Sequence, residues 1–466
     1  MVEGRYWLQT LGCPKNQVDS DKLEGRLAAQ GYRRAADLAE ADLVVVNTCA
    51  FIESARQESI DTVLELADLR SPEARLVVTG CMAERYGDEL TEALPEIDLV
   101  AGFGMDFADL ALAPTLAPQP TPTPVTLSVK PHPRPAKGFD LLELARPASE
   151  APWAYVKVAE GCDRICGFCA IPSFRGKQRS RSTDDVMAEV ELLLAGGSTP
   201  DGSTAPPLRE IVLVAQDLAS YGRDRSRPGE RVKAGRSPIA ALTRAVSARV
   251  DRTRLLYLYP SGLTDELIEA VVETGVPYFD LSLQHVARPL LARMRRWGDG
   301  ERFLRRIADI RRLSDQATFR SSFILGYPGE TERDHDLLLE FLSEAQLDWA
   351  GFFPFSPETG THAAGLGDQV PAGLALERLR ECAELQDGIT ASRRDQLVGQ
   401  RRRVLVDFPG QARSVHEAPE IDGVVHVPLD TVAGEFLEVE IVSAEGPDLH
   451  AVRVAHPATT LAGAPR

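Results

Sequence analysis

Glu160-Gly161-Cys162-Asp163-Arg164-Ile165-Cys166-Gly167-Phe168-Cys169 sets three cysteines at spacing C-x3-C-x2-C in one short loop, directly after the mostly apolar run 154–159. Thiolates this close in sequence can converge on one metal centre, because a loop of this length wraps a cluster of about its own size. Three are one short of the four that saturate a four-iron cluster when it only carries electrons, so the pattern leaves one iron open to an exogenous molecule. A closed zinc site has its Cys or His ligands in pairs, the second pair farther along the chain. No such pair follows here, which makes zinc the weaker reading.

Outward from that loop, strands and helices alternate. Strands are predicted at 155–158, 211–215, 255–258, 278–283, 318–325 and 351–355, with helices at 183–194, 264–273, 302–313 and 332–345. Such alternation implies parallel strands joined by crossover helices. Six units make a partial (β/α)6 barrel, with the cysteine loop at the carboxyl face where barrel enzymes carry out chemistry. Gly326-Tyr327-Pro328-Gly329-Glu330 follows the fifth strand and Gln216-Asp217 the second. Each either borders a bound cofactor or is a plain strand-to-helix turn. Polar stretches 196–207 and 223–236 read as surface loops.

The first segment has its own α/β rhythm. Strands are predicted at 6–11, 43–46 and 76–78, and Asn16 is placed to cap a helix over 17–30. Gly12-Cys13, Thr48-Cys49 and Gly80-Cys81 each lie just past one of those strands. In an open parallel sheet the ligand crevice lies outside the carboxyl ends. Three cysteines far apart in sequence would thus meet at one edge. Lone cysteines commonly fill core gaps, but three at the same topological point favour a second cluster, again with one iron open. Cys382, within the helical run 375–386, reads instead as a small core hydrophobe.

Between these segments, 113–135 holds eight prolines and reads as a stiff linker. From about residue 396, short strands at 402–407, 423–427, 436–442 and 451–454 suggest a small β-barrel. Such barrels often bind nucleic acid, yet residues 395–466 carry six Arg and no Lys against eleven Asp and Glu. That balance opposes phosphate tracking. The whole chain, 466 residues with formal net charge −17, has room for roughly two to four domains and suits a basic partner better than a polyanion. No basic start followed by an apolar run and no apolar stretch of roughly 18 residues is present, so a cytoplasmic location without membrane spans is expected. Seven cysteines in groups, in a reducing compartment, read as metal ligands before disulfides.

The C-x3-C-x2-C spacing with Phe168 ahead of the last cysteine resembles the radical S-adenosylmethionine enzymes. Three modules in a row then resemble the methylthiotransferase family of those enzymes over nearly the whole chain: an open parallel α/β domain (1–112), a radical cluster barrel (148–380) after a linker (113–147), and a TRAM-like all-β barrel (391–463). The resemblance implies one [4Fe-4S] cluster at Cys13, Cys49 and Cys81 and another at Cys162, Cys166 and Cys169, with Phe168 beside the S-adenosylmethionine. It implies reductive cleavage of that cofactor to a 5′-deoxyadenosyl radical, and sulfur insertion from the auxiliary cluster.

The run Leu11-Gly12-Cys13-Pro14-Lys15-Asn16-Gln17-Val18-Asp19-Ser20 is similar to the branch that modifies a ribosomal protein, where Pro14 and Lys15 replace the Gln or Asn and Met of the tRNA branch. Cys169-Ala170-Ile171-Pro172-Ser173-Phe174-Arg175-Gly176 points the same way. Asp21, where the family usually has Glu, and Gly167, where it often has Thr, depart from the pattern without removing a ligand. The implied substrate is one aspartate of the twelfth small-subunit protein, modified at its β-carbon. A reductant protein such as a flavodoxin or ferredoxin is the implied second partner. A tRNA adenosine is the alternative substrate; a non-enzymatic iron–sulfur sensor or RNA-binding module is the distant one.

Overall fold

The structure is a computed structural model that describes residues 4–106, 140–225 and 237–454. Most of the Pro-rich linker and the greater part of the second polar loop lie outside those residues. The N-terminal domain runs β1 (Arg5–Thr10), α1 (Pro14–Ala29), β2 (Arg33–Arg34), β3 (Leu43–Thr48), α2 (Glu53–Leu69), β4 (Arg75–Gly80), α3 (Cys81–Tyr86), α4 (Asp88–Ala93) and β5 (Leu99–Ala101). Its sheet is parallel throughout, in the order β2-β1-β3-β4-β5. Central strand β3 is buried along its whole length, as a β-branched run covered on both faces should be.

The middle domain runs β6 (Trp153–Lys157), β7 (Ala159–Glu160), α5 (Ile171–Phe174), β8 (Arg179–Ser180), α6 (Thr183–Leu194), β9 (Glu210–Val214), α7 (Pro238–Ser247), β10 (Arg252–Leu255), α8 (Asp265–Glu273), β11 (Tyr278–Gln284), α9 (Arg288–Arg293), α10 (Gly300–Leu313), β12 (Thr318–Leu325), α11 (Glu332–Ala345), β13 (Trp349–Pro354) and α12 (Ala372–Asp395). Parallel sheets β6-β9-β10 and β11-β12-β13 meet at a single bridge, Leu258 to Leu281, giving six barrel strands with an open side. Polar N-caps start the helices where expected: Ser182 accepts from Asp185 N, and Thr331 with Asp334 forms a capping box on α11.

Two readings of the sequence need correction. Strand β10 ends at Leu255, because Tyr257 takes a left-handed φ of 66° that an extended strand cannot contain. Asn16 does not cap α1. Cys13 occupies the cap position with Pro14 beginning the helix, and Asn16 is one turn in with its side chain turned to the sheet.

The C-terminal strands β14 (Arg401–Phe408), β15 (Gln411–Arg413), β16 (Val425–His426), β17 (Phe436–Glu445) and β18 (Asp448–Arg453) close a small barrel. Its segment 413–422 plugs the amino end of the large barrel. Trp349 Nε1 donates to His416 O, Tyr155 Oη to Pro419 O, and Thr318 Oγ1 lies 2.7 Å from His416 Nδ1. Arg413 pairs with Glu210 at 3.0 Å, and Glu210 also accepts from Arg254 at 2.8 Å. Glu210, Arg252, Tyr278, Thr318 and Trp349 are the opening residues of their strands, and each meets the plug: Glu210 and Arg252 at Arg413, Tyr278 at Asp422, and Thr318 and Trp349 at His416. The C-terminal module thus seals the end of the barrel opposite the cysteine loop. Cys382 is fully buried among the barrel's apolar side chains, as its helical setting suggests.

Burial works against the Glu210 charge, but Arg413, Arg254 and Arg252 hold its pKa down to about 2. Its stabilisation is therefore complete above the unfolded carboxylate value near 4.5 and fades as pH falls through about 2. Glu210→Gln should cost about 3 kcal/mol at neutral pH, since two guanidinium groups lose a buried partner. Denaturant unfolding between pH 2 and 7 checks both points: the variant should be less stable at pH 7 and lose less stability on acidification.

Candidate functional site

Parallel pairing puts the carboxyl ends of β1, β3 and β4 side by side, and a cysteine follows each. Gly12 and Gly80 make the turns possible. Both have positive φ, and a Cβ on Gly12 would lie 2.9 Å from Cys49 Cβ, while one on Gly80 would lie 2.3 Å from Asn47 Oδ1. Asn16 Nδ2 donates to Leu11 O at 2.9 Å and Thr48 O at 3.1 Å, tying two of those ends together. Ser59 Oγ receives the Cys49 amide. Burial pushes the Cys49 thiol up to about 12, with Cys81 and Cys13 adding to the effect. At Cys13 burial acts the same way, but the cations of Lys15 and Arg175 outweigh it and hold the thiol below its ordinary value.

The second trio follows β7. Gly161, again with positive φ, lets the chain turn where a Cβ would lie 2.3 Å from Lys177 O. Cys162 Sγ accepts from Arg164 N at 3.4 Å and Cys166 Sγ from Arg296 Nη1 at 3.4 Å. The Arg164 and Arg296 guanidinium groups lie 3.8 and 3.9 Å from the ring centroid of Tyr259, and Asp217 fixes Arg164 at 2.6 Å. Burial raises the Cys162 thiol to about 11 and Cys169 to about 12. The loop is pinned by Gly167 N to Met294 O and Ala363 N to Gly167 O, both 2.8 Å. A Cβ at Gly167 would lie 2.8 Å from Tyr327 Oη, so glycine suits this position here. The Gly326–Glu330 turn therefore braces the cysteine loop through Tyr327, and Gln216 donates to Glu160 beside it. Phe168 is half-buried against the barrel core.

Buried charge links the first trio to Glu160, just ahead of the second. Arg175, just past α5, donates to Cys81 Sγ at 3.1 Å, Asn16 Oδ1 at 2.7 Å, Glu160 at 2.9 Å and Asp19 at 3.2 Å. Lys157 pairs with Asp19 and Glu160. Val18 of α1 packs with Tyr155, Val212, Leu256 and Tyr278 inside the barrel, so the N-terminal domain closes the barrel's open side. Lys15 is 7% exposed and its Nζ stands 3.1 Å from the centroid of the Tyr257 ring. Burial lowers the Lys15 pKa, against the neighbouring Cys13 thiolate, which favours its charge.

Among the described residues each trio brings three sulfurs within one another's field, the donor chemistry an iron–sulfur cube with one open iron would use, and nearby arginines oppose the effect of burial on the thiols. Among the described residues no three His, Cys, Asp or Glu side chains crowd onto a single ion. A cube spreads its ligand sulfurs wider than one ion does.

Three family models match separate stretches of the chain. Residues 5–102 match the uncharacterized protein family UPF0004, 156–342 the radical SAM superfamily, and 398–454 the TRAM domain. The ribosomal protein uS12 methylthiotransferase RimO of Cutibacterium acnes is 39% identical over 97% of both chains. That of Moorella thermoacetica is 41% identical over 93% of this chain and 95% of its own. The chain belongs to the RimO family. Among solved structures, the radical S-adenosylmethionine methyltransferase TsrM from Kitasatospora setae, with cobalamin and a [4Fe-4S] cluster bound, covers 93% of this chain and 84% of its own. Its TM-score of 0.51 at 15% identity is a likeness of fold alone.

For this RimO-family chain, sequence reasoning grouped six cysteines into two sets that the structure brings together, and it missed their surroundings. Arg175 and Lys15 lie within motifs that were legible, but nothing in their spacing says that one reaches a cysteine 94 residues away or that the other lies over an aromatic ring. Tyr257, Tyr259 and Arg296 gave no signal. Arg175→Met should leave Asp19 and Glu160 under-compensated and Cys81 without its donor. After anaerobic reconstitution the variant should hold about half the wild-type iron, the N-terminal share being lost, and unfold at lower denaturant; full iron in both trios would sink the role assigned to Arg175.

Proposed function

We infer that this chain is a radical S-adenosylmethionine methylthiotransferase that modifies the β-carbon of an aspartate in ribosomal protein uS12. Near-full-length identity to RimO proteins supports the reaction and substrate. The observation that carries the mechanism is the pair of three-thiol sites joined by the Arg175 network at one end of one barrel. Cys162, Cys166 and Cys169 would hold the cluster that binds S-adenosylmethionine, next to Phe168; Cys13, Cys49 and Cys81 would hold a second, auxiliary [4Fe-4S] cluster. When bound, these groups supply the one-electron cleavage, hydrogen abstraction and sulfur transfer that amino-acid side chains cannot.

The chain's own residues then have three tasks. The Arg296 and Arg175 guanidinium groups and the Arg164 amide donate to ligand sulfurs, and the two guanidinium groups offset the negative charge that three thiolates bring into a buried site. Val18 and the Lys157–Asp19–Glu160 ion pairs hold the N-terminal domain against the barrel, which fixes the spacing of the two trios and keeps water out. The C-terminal module, sealing the opposite end, leaves the cysteine end for the substrate. Its acidic composition favours approach of a basic ribosomal protein. A flavodoxin or ferredoxin would deliver the electron.

Holoenzyme incubated with S-adenosylmethionine, reductant and a uS12 target-loop peptide tests the reading. Cys162→Ala, Cys166→Ala or Cys169→Ala should abolish release of 5′-deoxyadenosine. Cys13→Ala, Cys49→Ala or Cys81→Ala should retain it and yield no methylthio peptide by mass spectrometry. Methylthiolation by the second set would refute an auxiliary cluster there. Loss of the methylthio group from bulk tRNA, not uS12, in a deletion strain would refute the substrate.

A further inference from the structure

Buried cations at the junction of the N-terminal domain and the barrel are matched, with one exception. Lys157 has Asp19 and Glu160, Arg175 has the same two carboxylates, Lys22 has Glu189 and two carbonyls, and Arg320 has Asp280. Lys15 Nζ has the face of Tyr257 and, among the described residues, no hydrogen bond or ion pair. The nearest carboxylate in its field, Asp280, is already engaged by Arg320 at 3.2 Å and by the Tyr257 amide at 2.9 Å.

Burying an ammonium with no carboxylate or carbonyl to accept its protons is unfavourable, and an aromatic face recovers only part of that. The ring itself is held at a cost: Tyr257 is a non-glycine residue at φ 66°, a conformation that persists where surrounding structure imposes it. Lys15 also sits in the first turn of the 16-residue α1, two positions after Cys13, where the helix dipole adds to positive potential. The largely buried ammonium therefore stands beside one of the two thiol trios, with the Cys13 sulfur in its field and no oxygen acceptor among the described residues.

We propose that Lys15 is the residue that receives the side-chain carboxylate of the substrate aspartate, and so selects an acidic side chain over a neutral group beside the Cys13, Cys49 and Cys81 trio. This rests on the function inferred above and adds the recognising group to it. A carboxylate completes the missing charge pair and accepts the ammonium donors, and in a dry site such a pair is strong. An adenine ring carries no charge there and would leave the ammonium as uncompensated as before.

Fluorescence anisotropy of a labelled uS12 target-loop peptide on anaerobically reconstituted holoenzyme tests the assignment, with Asp or Asn at the modified position. Wild type should bind the Asp peptide about tenfold to a hundredfold tighter than the Asn peptide. Lys15→Met should bind both with the wild-type affinity for Asn, and Lys15→Arg should recover part of the preference. Iron content and the electron paramagnetic resonance signals are read on the same samples.

A Lys15→Met protein that keeps the Asp preference overturns the proposal, whether or not its iron signals change; a change would mark Lys15 as serving the cluster. If Lys15→Met loses iron and the preference together, Cys13→Ala decides: a preference kept there supports Lys15, and one lost there overturns it. Mass analysis of the peptide after turnover reports on the underlying function separately. Wild type that methylthiolates the Asp peptide while Lys15→Met still discriminates sinks only the Lys15 role. Wild type that never modifies the peptide sinks the function, and the Lys15 role with it.

Discussion

A single buried guanidinium holds this architecture together. Arg175 leaves the barrel just after the three-cysteine loop, crosses to the N-terminal domain, and spends its donors on Asp19, Glu160, Asn16 and Cys81. Its planar fork suits this: five donors can serve acceptors from two domains at once, which a lysine ammonium on a flexible stem would do with less fixed geometry. Burial alone would disfavour its charge; the anions around it more than compensate and raise its pKa. The thiol trios therefore cannot move apart without exposing or stranding several charges together.

The barrel is divided by its two ends. At the amino ends of its strands Glu210, Arg254 and Arg413 form a closed charge network with the C-terminal module. At the carboxyl ends the chain turns through positive-φ glycines into cysteines, and arginines stacked on Tyr259 donate to their sulfurs. The reactive end also carries a positive charge with no carboxylate partner among the described residues. Lys15 is that charge, and its tolerance depends on the same interdomain packing that Arg175 and Val18 enforce.

Much of the fold was legible beforehand. Helices at 183–194 and 332–345 and the strand at 318–325 were read to the residue, because polar caps and long apolar periodicities are local signals. Tyr257 defeated the strand at 255–258, since a left-handed tyrosine is imposed by its surroundings and leaves no trace in composition. Asn16 looked like a cap because Asn caps helices, yet Pro14 had already begun the turn.

Sequence by itself determined that six cysteines stand at the carboxyl ends of strands, three in one loop and three dispersed, since strand periodicity and ligand spacing are written along the chain. Only the tertiary structure decided that the dispersed three adjoin, that Arg175 links Cys81 to Glu160 ahead of the other trio, and that Lys15 is buried over an aromatic ring with no carboxylate partner. The reason is physical: a contact between residues dozens of positions apart is set by how domains pack, and the charge left unpaired by that packing has no signature in the order of residues.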